Sequence, residues 1–232
     1  MDFNPNFKIQ ALITIVDYST REKVESLFLK HKLPLNYVTH GHGAASQEIY
    51  DILGFGEPKK AILLSILSEG KAHHMLHVMS TEIDLNRPGT GIAFTIPING
   101  CSNMLSQLCT SLEMNELIES EAVPMVQNET YDLILTIVSS GDFDRVMEVA
   151  RASGANGGTL IHARGLTTEE TSKFLGITIQ PEKEIVMVLA SHENKHKIME
   201  NITKEMGLST SYKGICFSIP VSSTIGLGVH TI

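Results

Sequence analysis

Tryptophan is absent from this 232-residue chain and aromatic side chains reach only 6%, so it offers no series of rings on which nucleic-acid bases could stack. Lysine and arginine number 18 against 26 aspartate and glutamate, and no basic run is present. A net charge of −8 argues against steering towards nucleic acid or an anionic membrane surface. Cysteine is equally scarce. Cys101, Cys109 and Cys216 are odd in number and show no C-x-x-C spacing, which excludes a disulfide framework and reads as reduced thiols in the cytoplasm. No apolar stretch approaches the roughly 20 residues that span a bilayer, and Met1 to Lys8 lack the start of a signal peptide. A G-x-S-x-G elbow is missing, and no cysteine has an activating neighbour, so no enzyme is expected.

What the chain does have is an ordinary apolar content of 42% and a repeat. The glycine turn Pro88-Gly89-Thr90-Gly91 feeds the apolar run Ile92 to Pro97, and Gly214 to Pro220 is its weaker twin. Both read G-I-x-F-x-I-P. Ile15 falls on Ile137, His40 on His162 and Leu53 on Leu175, each pair 122 apart (137 − 15, 162 − 40, 175 − 53). Pro58 on Pro181 and Pro97 on Pro220 are 123 apart. One inserted residue separates two copies of a single plan, the signature of a tandem duplication.

In the first copy, strands are predicted near 8–17, 35–41, 60–67 and 91–98. A helix opens at a capping box, Ser19 to Glu22, and buries Val24, Leu27 and Phe28. A short helix is predicted near 46–53, and a second main helix places Ala72, Met75, Leu76 and Met79 on one stripe. The second copy repeats the order. Its strands fall near 131–138, 158–163, 184–190 and 214–221, with helices through Phe143–Ala150, near 168–175 behind the box Thr167 to Glu170, and over 193–206. Strand–helix–strand–strand–helix–strand predicts an α+β chain of two tandem ferredoxin-like (βαββαβ) domains with antiparallel sheets. The domains are 1–99 and 130–232, joined by a partly helical connector at 100–129. Strands such as Ala61 to Leu64 and Ile185 to Leu189 are apolar at consecutive positions, which implies burial on both faces and predicts a homo-oligomer.

Gly154 to Gly165 (GANGGTLIHARG) and Arg87 to Phe94 (RPGTGIAF) resemble two segments of the PII (nitrogen regulatory protein P-II) signalling family, the second strand with its basic-glycine turn and the phosphate-binding B-loop. The resemblance covers both copies and omits the connector. It implies a non-enzymatic regulator, a compact trimer that binds an adenine nucleotide in clefts between domains and controls a membrane transporter or enzyme. On that resemblance Gly89, Thr90 and Gly91, with the neighbouring cation Arg87, face phosphates. Gly41 and Gly43 lie at the base of the first signalling loop, Gly158 and Thr159 at the ribose and adenine, and Arg164 and Gly165 at the second loop base. His162 and its equivalent His40 lie near the expected cleft, where a ligand contact and a structural role are equally open.

The glycine turn occurs only in the first copy and Gly158-Thr159 only in the second, so the resemblance implies specialised halves. Ile92 and Ile215 stand where the family carries a phosphate-binding lysine, and no paired arginines follow the last strand. Since charge-assisted hydrogen bonds contribute about 1.5–3 kcal/mol each, AMP, ADP or a cyclic nucleotide is expected rather than tightly bound ATP. His73, His74 and His77 have helical metal-ligand spacing but no accompanying carboxylate or cysteine, so a solvated polar face is the expected reading. The alternative function is a metal-binding or structural oligomer of the same fold.

Overall fold

A computed structural model describes residues 8–43, 59–87, 89–114, 130–165 and 182–227. The short helices expected near 46–53 and 168–175, the capping box at Thr167, the second half of the connector (115–129) and Pro88 lie outside these residues. The strands are β1 Ile9–Asp17, β2 Asn36–Gly43, β3 Lys59–Ser68, β4 Gly91–Ile98, β5 Tyr131–Ser139, β6 Thr159–Arg164, β7 Glu182–Ser191, β8 Ile215–Pro220 and β9 Ser223–Ile225. Among the described residues the α-helices are α1 Arg21–Lys30, α2 Glu69–Glu82, α3 Asn103–Met114, α4 Phe143–Ala152 and α5 His192–Met206. The chain is thus mixed α/β with extensive antiparallel pairing.

It divides into two compact units. Unit 1 comprises Met1–Thr39, Ala61–Thr130 and Val221–Ile232; unit 2 comprises His40–Lys60 and Tyr131–Pro220. The division departs from a cut at the connector in two places. The end of β2 belongs with unit 2, and the C-terminal β9 belongs with unit 1.

In unit 1 the strands run in the order β2-β3-β1-β4-β9. β1 and β4 are paired antiparallel from Ile9↔Ile98 to Val16↔Gly91. The predicted helical stripes are in the core: Val24, Leu27 and Phe28 from α1, and Ala72, Met75, Leu76 and Met79 from α2, pack with Leu12, Val16, Leu63 and Leu67. The capping box at Ser19 does not form. A 3₁₀ turn over Tyr18–Thr20 leads into α1, so Thr20 is already helical (φ −87°, ψ −11°) and makes no side-chain cap bond. An N-cap needs an extended residue, and Ser68 supplies one for α2. At φ −67° and ψ 158° its Oγ accepts the Lys71 N–H at 3.2 Å. β9 had no sequence signal. It pairs antiparallel with β4 through Ala93↔Ile225 and Thr95↔Ser223, and Ile225 joins the core.

In unit 2 the order is β8-β5-β7-β6. One sheet face, carrying Ile134, Val138, Val186 and Val188, packs with Phe143, Val146, Met147 and Ala150 of α4 and with Ile198 and Ile202 of α5. Strand alternation puts Leu135, Ile137, Met187 and Phe217 on the other face, where Leu135 lies opposite both Met187 and Phe217. There Ile215 and Phe217 are each 40% exposed, an apolar row on an edge strand. α5 stops at Gly207, as expected. A Cβ at that position would lie 2.3 Å from the Thr203 carbonyl oxygen, so only glycine permits the turn.

Candidate ligand-binding site

The site residues read from the sequence fall into two groups, one in each unit. In unit 1, α2 ends with Asp84 in the left-handed region (φ 61°), and fully buried Leu85 anchors the chain behind it. The Arg87 N–H then donates to the Asp84 carbonyl at 3.0 Å, and the Thr90 N–H donates to the Arg87 carbonyl at 3.2 Å. Gly89 has φ +85°, the positive value that the third residue of a type II turn requires. The Thr90 amide is therefore used to close the turn and is not a donor the turn can offer to an anion.

The two glycines of the turn do different work. Gly91 (φ +151°) is held by packing, since a Cβ there would lie 2.5 Å from the Ile15 carbonyl oxygen. Its twin Gly214 is similar, with a Cβ 2.5 Å from the Met206 carbonyl oxygen. Close backbone approach thus explains the shared glycine of G-I-x-F-x-I-P without any ligand. Gly89 has nothing within 4 Å of an added Cβ, and it and the Arg87 side chain are exposed. The second copy has Tyr212 at the position equivalent to Gly89 (212 − 89 = 123).

Sequence reasoning missed Gly226, which follows β9. At φ +86° its Cβ would fall 2.2 Å from the Gly91 carbonyl oxygen and 3.0 Å from that of Leu85. The C-terminal strand therefore ends against the glycine turn. The Ser222 N–H donates to the Thr95 carbonyl at 2.9 Å, and Ser223 Oγ lies 3.3 Å from His73 Nε2, fixing the strand from both sides. Only a glycine directly after a short β-rich stretch could have signalled this.

In unit 2 the end of β2 runs antiparallel to β6, with His42 opposite Leu160 and Gly43 opposite Thr159. Gly41, Gly43 and Thr159 are buried, whereas His162 and Arg164 are exposed, and Gly165 follows β6 half-buried. The structure thus brings Gly43 against Thr159. It also sets the His42 and His162 rings edge to face, 5.4 Å between centroids. His42 was absent from the sequence-read set, although the pattern His-x-His puts His40 and His42 on one strand face. Gly158 has a packing reason of its own, because a Cβ there would crowd Met147 Sδ at 2.5 Å and the Met187 carbonyl at 3.2 Å.

Two further polar groups shape unit 2. Glu184, 4% exposed, accepts the N–H of Gly141 at 2.8 Å with one oxygen and that of Phe143 at 3.0 Å with the other, capping α4 from a neighbouring strand. Asp142, the N-cap by position, makes no cap bond, and burial together with the Glu184 charge raises its pKa. The buried Asp132 accepts from His192 Nδ1 at 2.7 Å and from Lys195 Nζ at 3.1 Å. Burial alone would raise the Asp132 pKa, but hydrogen bonds and charge from these two partners leave it below the ordinary aspartate value. The helical histidines disperse: His73 faces Ser223, His74 packs 5.3 Å from His31, and His192 serves Asp132. Among the described residues no group of three or more His, Cys, Asp or Glu side chains stands in metal-ligand geometry.

No family model matches the chain, and no curated protein does. One solved structure, described as a microcompartments protein from Desulfitobacterium hafniense DCB, aligns with it at 10% identity over 93% of this chain and 96% of that one. The TM-score is 0.26, too low to carry an argument about fold or function.

Proposed function

We propose that the chain is a tandem pair of ferredoxin-like, PII-like domains that acts as a non-enzymatic regulator responsive to an adenine nucleotide. The strand orders support the architecture. Counting strands within each copy, β4-β1-β3-β2 and β8-β5-β7-β6 are both fourth-first-third-second, the ferredoxin-like order. The observation that carries the ligand reading is Gly89. It is the one glycine of the turn that no packing demand explains, it leaves its backbone open to solvent, and it stands two residues from an exposed arginine. Backbone with positive φ and no Cβ is what lets amides approach an anion. With Thr90 committed to the turn and no lysine at Ile92, the donor set is small. It suits AMP, ADP or a cyclic nucleotide better than a triphosphate.

The exposed apolar row of β8 supports the second part of the proposal, a homo-oligomer built on sheet faces, with a trimer as the expected state. Its output is control of a transporter or enzyme partner. A thermal-shift screen against AMP, ADP, ATP, cyclic AMP and cyclic di-AMP tests the ligand reading. A ligand at 100 times its Kd stabilises the folded state by about 2.7 kcal/mol. The expected result is a shift with at least one nucleotide that is lost in Arg87→Ala. A flat response to all five contradicts the proposal.

A further inference from the structure

The twin strands β4 and β8 differ in what lies along their outer edges. In unit 1 the edge of β4 is covered by β9, through Ala93↔Ile225, Phe94↔Thr224 and Thr95↔Ser223. Ala93, Phe94 and Thr95 are all fully buried. β8 carries the same G-I-x-F-x-I-P sequence, yet it is an edge strand, paired among the described strands with β5 alone. Its equivalent positions are open: Phe217 is exposed, and Cys216 and Ser218 are half-buried. We propose that β8 pairs antiparallel with β8 of a second copy of the chain, about a two-fold axis at Ser218, so that one sheet runs through both. The proposal rests on the homo-oligomer put forward above and names the strand that joins two chains. Being isologous, the contact links chains in pairs, in addition to the contacts that build a trimer.

The register fixes which backbone groups β8 offers. The Thr95 carbonyl accepts the Ser222 N–H at 2.9 Å, so it points away from β1 and towards β9. In an antiparallel strand the N–H and C=O of one residue point to the same side, and that side alternates along the chain. The pair Leu12↔Thr95 corresponds by the repeat to Ile134↔Ser218 (12 + 122 = 134, 95 + 123 = 218). Cys216, Ser218 and Pro220 therefore turn their backbone groups away from β5. A two-fold at Ser218 sets these groups against one another. Ser218 faces the partner's Ser218, and Cys216 faces the partner's Pro220, whose carbonyl still accepts.

The side chains suit the same register. Phe217 meets the partner's Ile219 and extends the exposed apolar row across the axis. Ser218 meets a serine, as Thr95 meets Ser223 in unit 1. There Ser223 Oγ lies 3.3 Å from His73 Nε2, and the equivalent of His73 is His196 (73 + 123 = 196), which is exposed on α5. The partner's Ser218 takes the place beside His196 that Ser223 has beside His73. β8 has no charged side chain, so two copies meet without repulsion, and the edge lacks the lysine that commonly keeps such strands apart. The chain's own counterpart of β9 does not suit this edge. Ser102 stands there in place of Ile225 (102 + 123 = 225), and its Oγ instead accepts the Leu105 N–H at 3.4 Å.

The experiment is oxidative cross-linking of the full chain carrying Ser218→Cys, with Cys101→Ser and Cys216→Ser, together with sedimentation of Ser218→Pro. Cα atoms of a hydrogen-bonded antiparallel pair lie about 5.5 Å apart, within disulfide reach. The expected result is a disulfide-linked dimer on non-reducing gels from Ser218→Cys, and none from Glu200→Cys, an exposed position on α5. Ser218→Pro removes two outward N–H donors from each contact without touching the β5 ladder, and should weaken association at least about tenfold. Ser218→Cys keeps the test valid if Ser218→Pro fails to fold, which circular dichroism reports. If the wild type is an oligomer but Ser218→Cys gives no dimer, or folded Ser218→Pro associates as before, the β8 pairing is overturned and the oligomer stands. A wild type that sediments as a monomer at every concentration overturns both.

Discussion

Replacing Glu184 with alanine is the sharpest test of how unit 2 is held together. Glu184 reaches from β7 to the N-terminus of α4 and accepts two backbone N–H groups, with Ser140 Oγ a third, longer partner at 3.4 Å. A hydrogen bond to a charged group contributes about 1.5–3 kcal/mol, and a lost N-cap costs about 0.5–2 kcal/mol. Water can reach Gly141, which is exposed, but not the buried Phe143, so the two losses are unequal. Together they give about 2–4 kcal/mol for Glu184→Ala. For a chain of this size that is a fall in Tm of roughly 5–15 °C by calorimetry. Glu184→Gln keeps one acceptor oxygen and should fall between alanine and wild type. Asp142, the N-cap by position, could take over the cap, so Asp142→Ala in the Glu184→Ala background should deepen the loss. Amide hydrogen exchange should show the first turn of α4 opening in the variant while α1 and α2 of unit 1 keep their protection. A loss below about 0.5 kcal/mol, the scale of an ordinary surface substitution, would refute the reasoning.

Three further outcomes follow from the same contacts. Asp132→Asn leaves Lys195 without its buried partner and should cost about 2–3 kcal/mol near neutral pH in urea titrations. Because the folded pKa of Asp132 lies below its unfolded value, that stability is present above about pH 4 and fades as pH falls through the folded value, so wild type and variant should converge in acid. Gly226→Ala forces a Cβ onto the Gly91 carbonyl, and a cost of about 2–4 kcal/mol with increased exchange of the β4 edge amides is expected. Phe217→Lys puts a charge into the exposed apolar row of β8. On the proposed homo-oligomer, sedimentation should show dissociation in this variant, with the helical circular dichroism unchanged.

What the sequence made legible is local. The stripes Ala72–Met79 and Phe143–Ala150, the strand Gly91–Ile98 and the stop at Gly207 are set by periodicity and by glycine chemistry, and they stand within a residue or so of expectation. Apolar residues on both faces of β3 and β7 were visible as unbroken runs. What could not be read is set by partners distant in the chain. β9 is three residues long and owes its existence to β4, more than 120 residues away (223 − 95 = 128). Glu184 displaced the caps that nearby residues would have supplied, just as the 3₁₀ turn displaced Ser19. The glycine turn was legible as a motif, but not the split within it between Gly91, fixed by packing, and Gly89, facing solvent. The packing of His42 was not legible because the ring it touches, that of His162, lies 120 positions on (162 − 42 = 120).

The central claim rests on Gly89, and titration calorimetry of the wild type and Gly89→Ala with the nucleotide giving the largest thermal shift tests it most directly. The alanine methyl enters open space, so the fold should survive with a cost of about 1–2 kcal/mol from the positive φ. The account predicts that the wild type binds and that Gly89→Ala weakens binding by at least about tenfold, equivalent to 1.4 kcal/mol. Equal affinity in the two proteins, or no nucleotide binding by either, would contradict it.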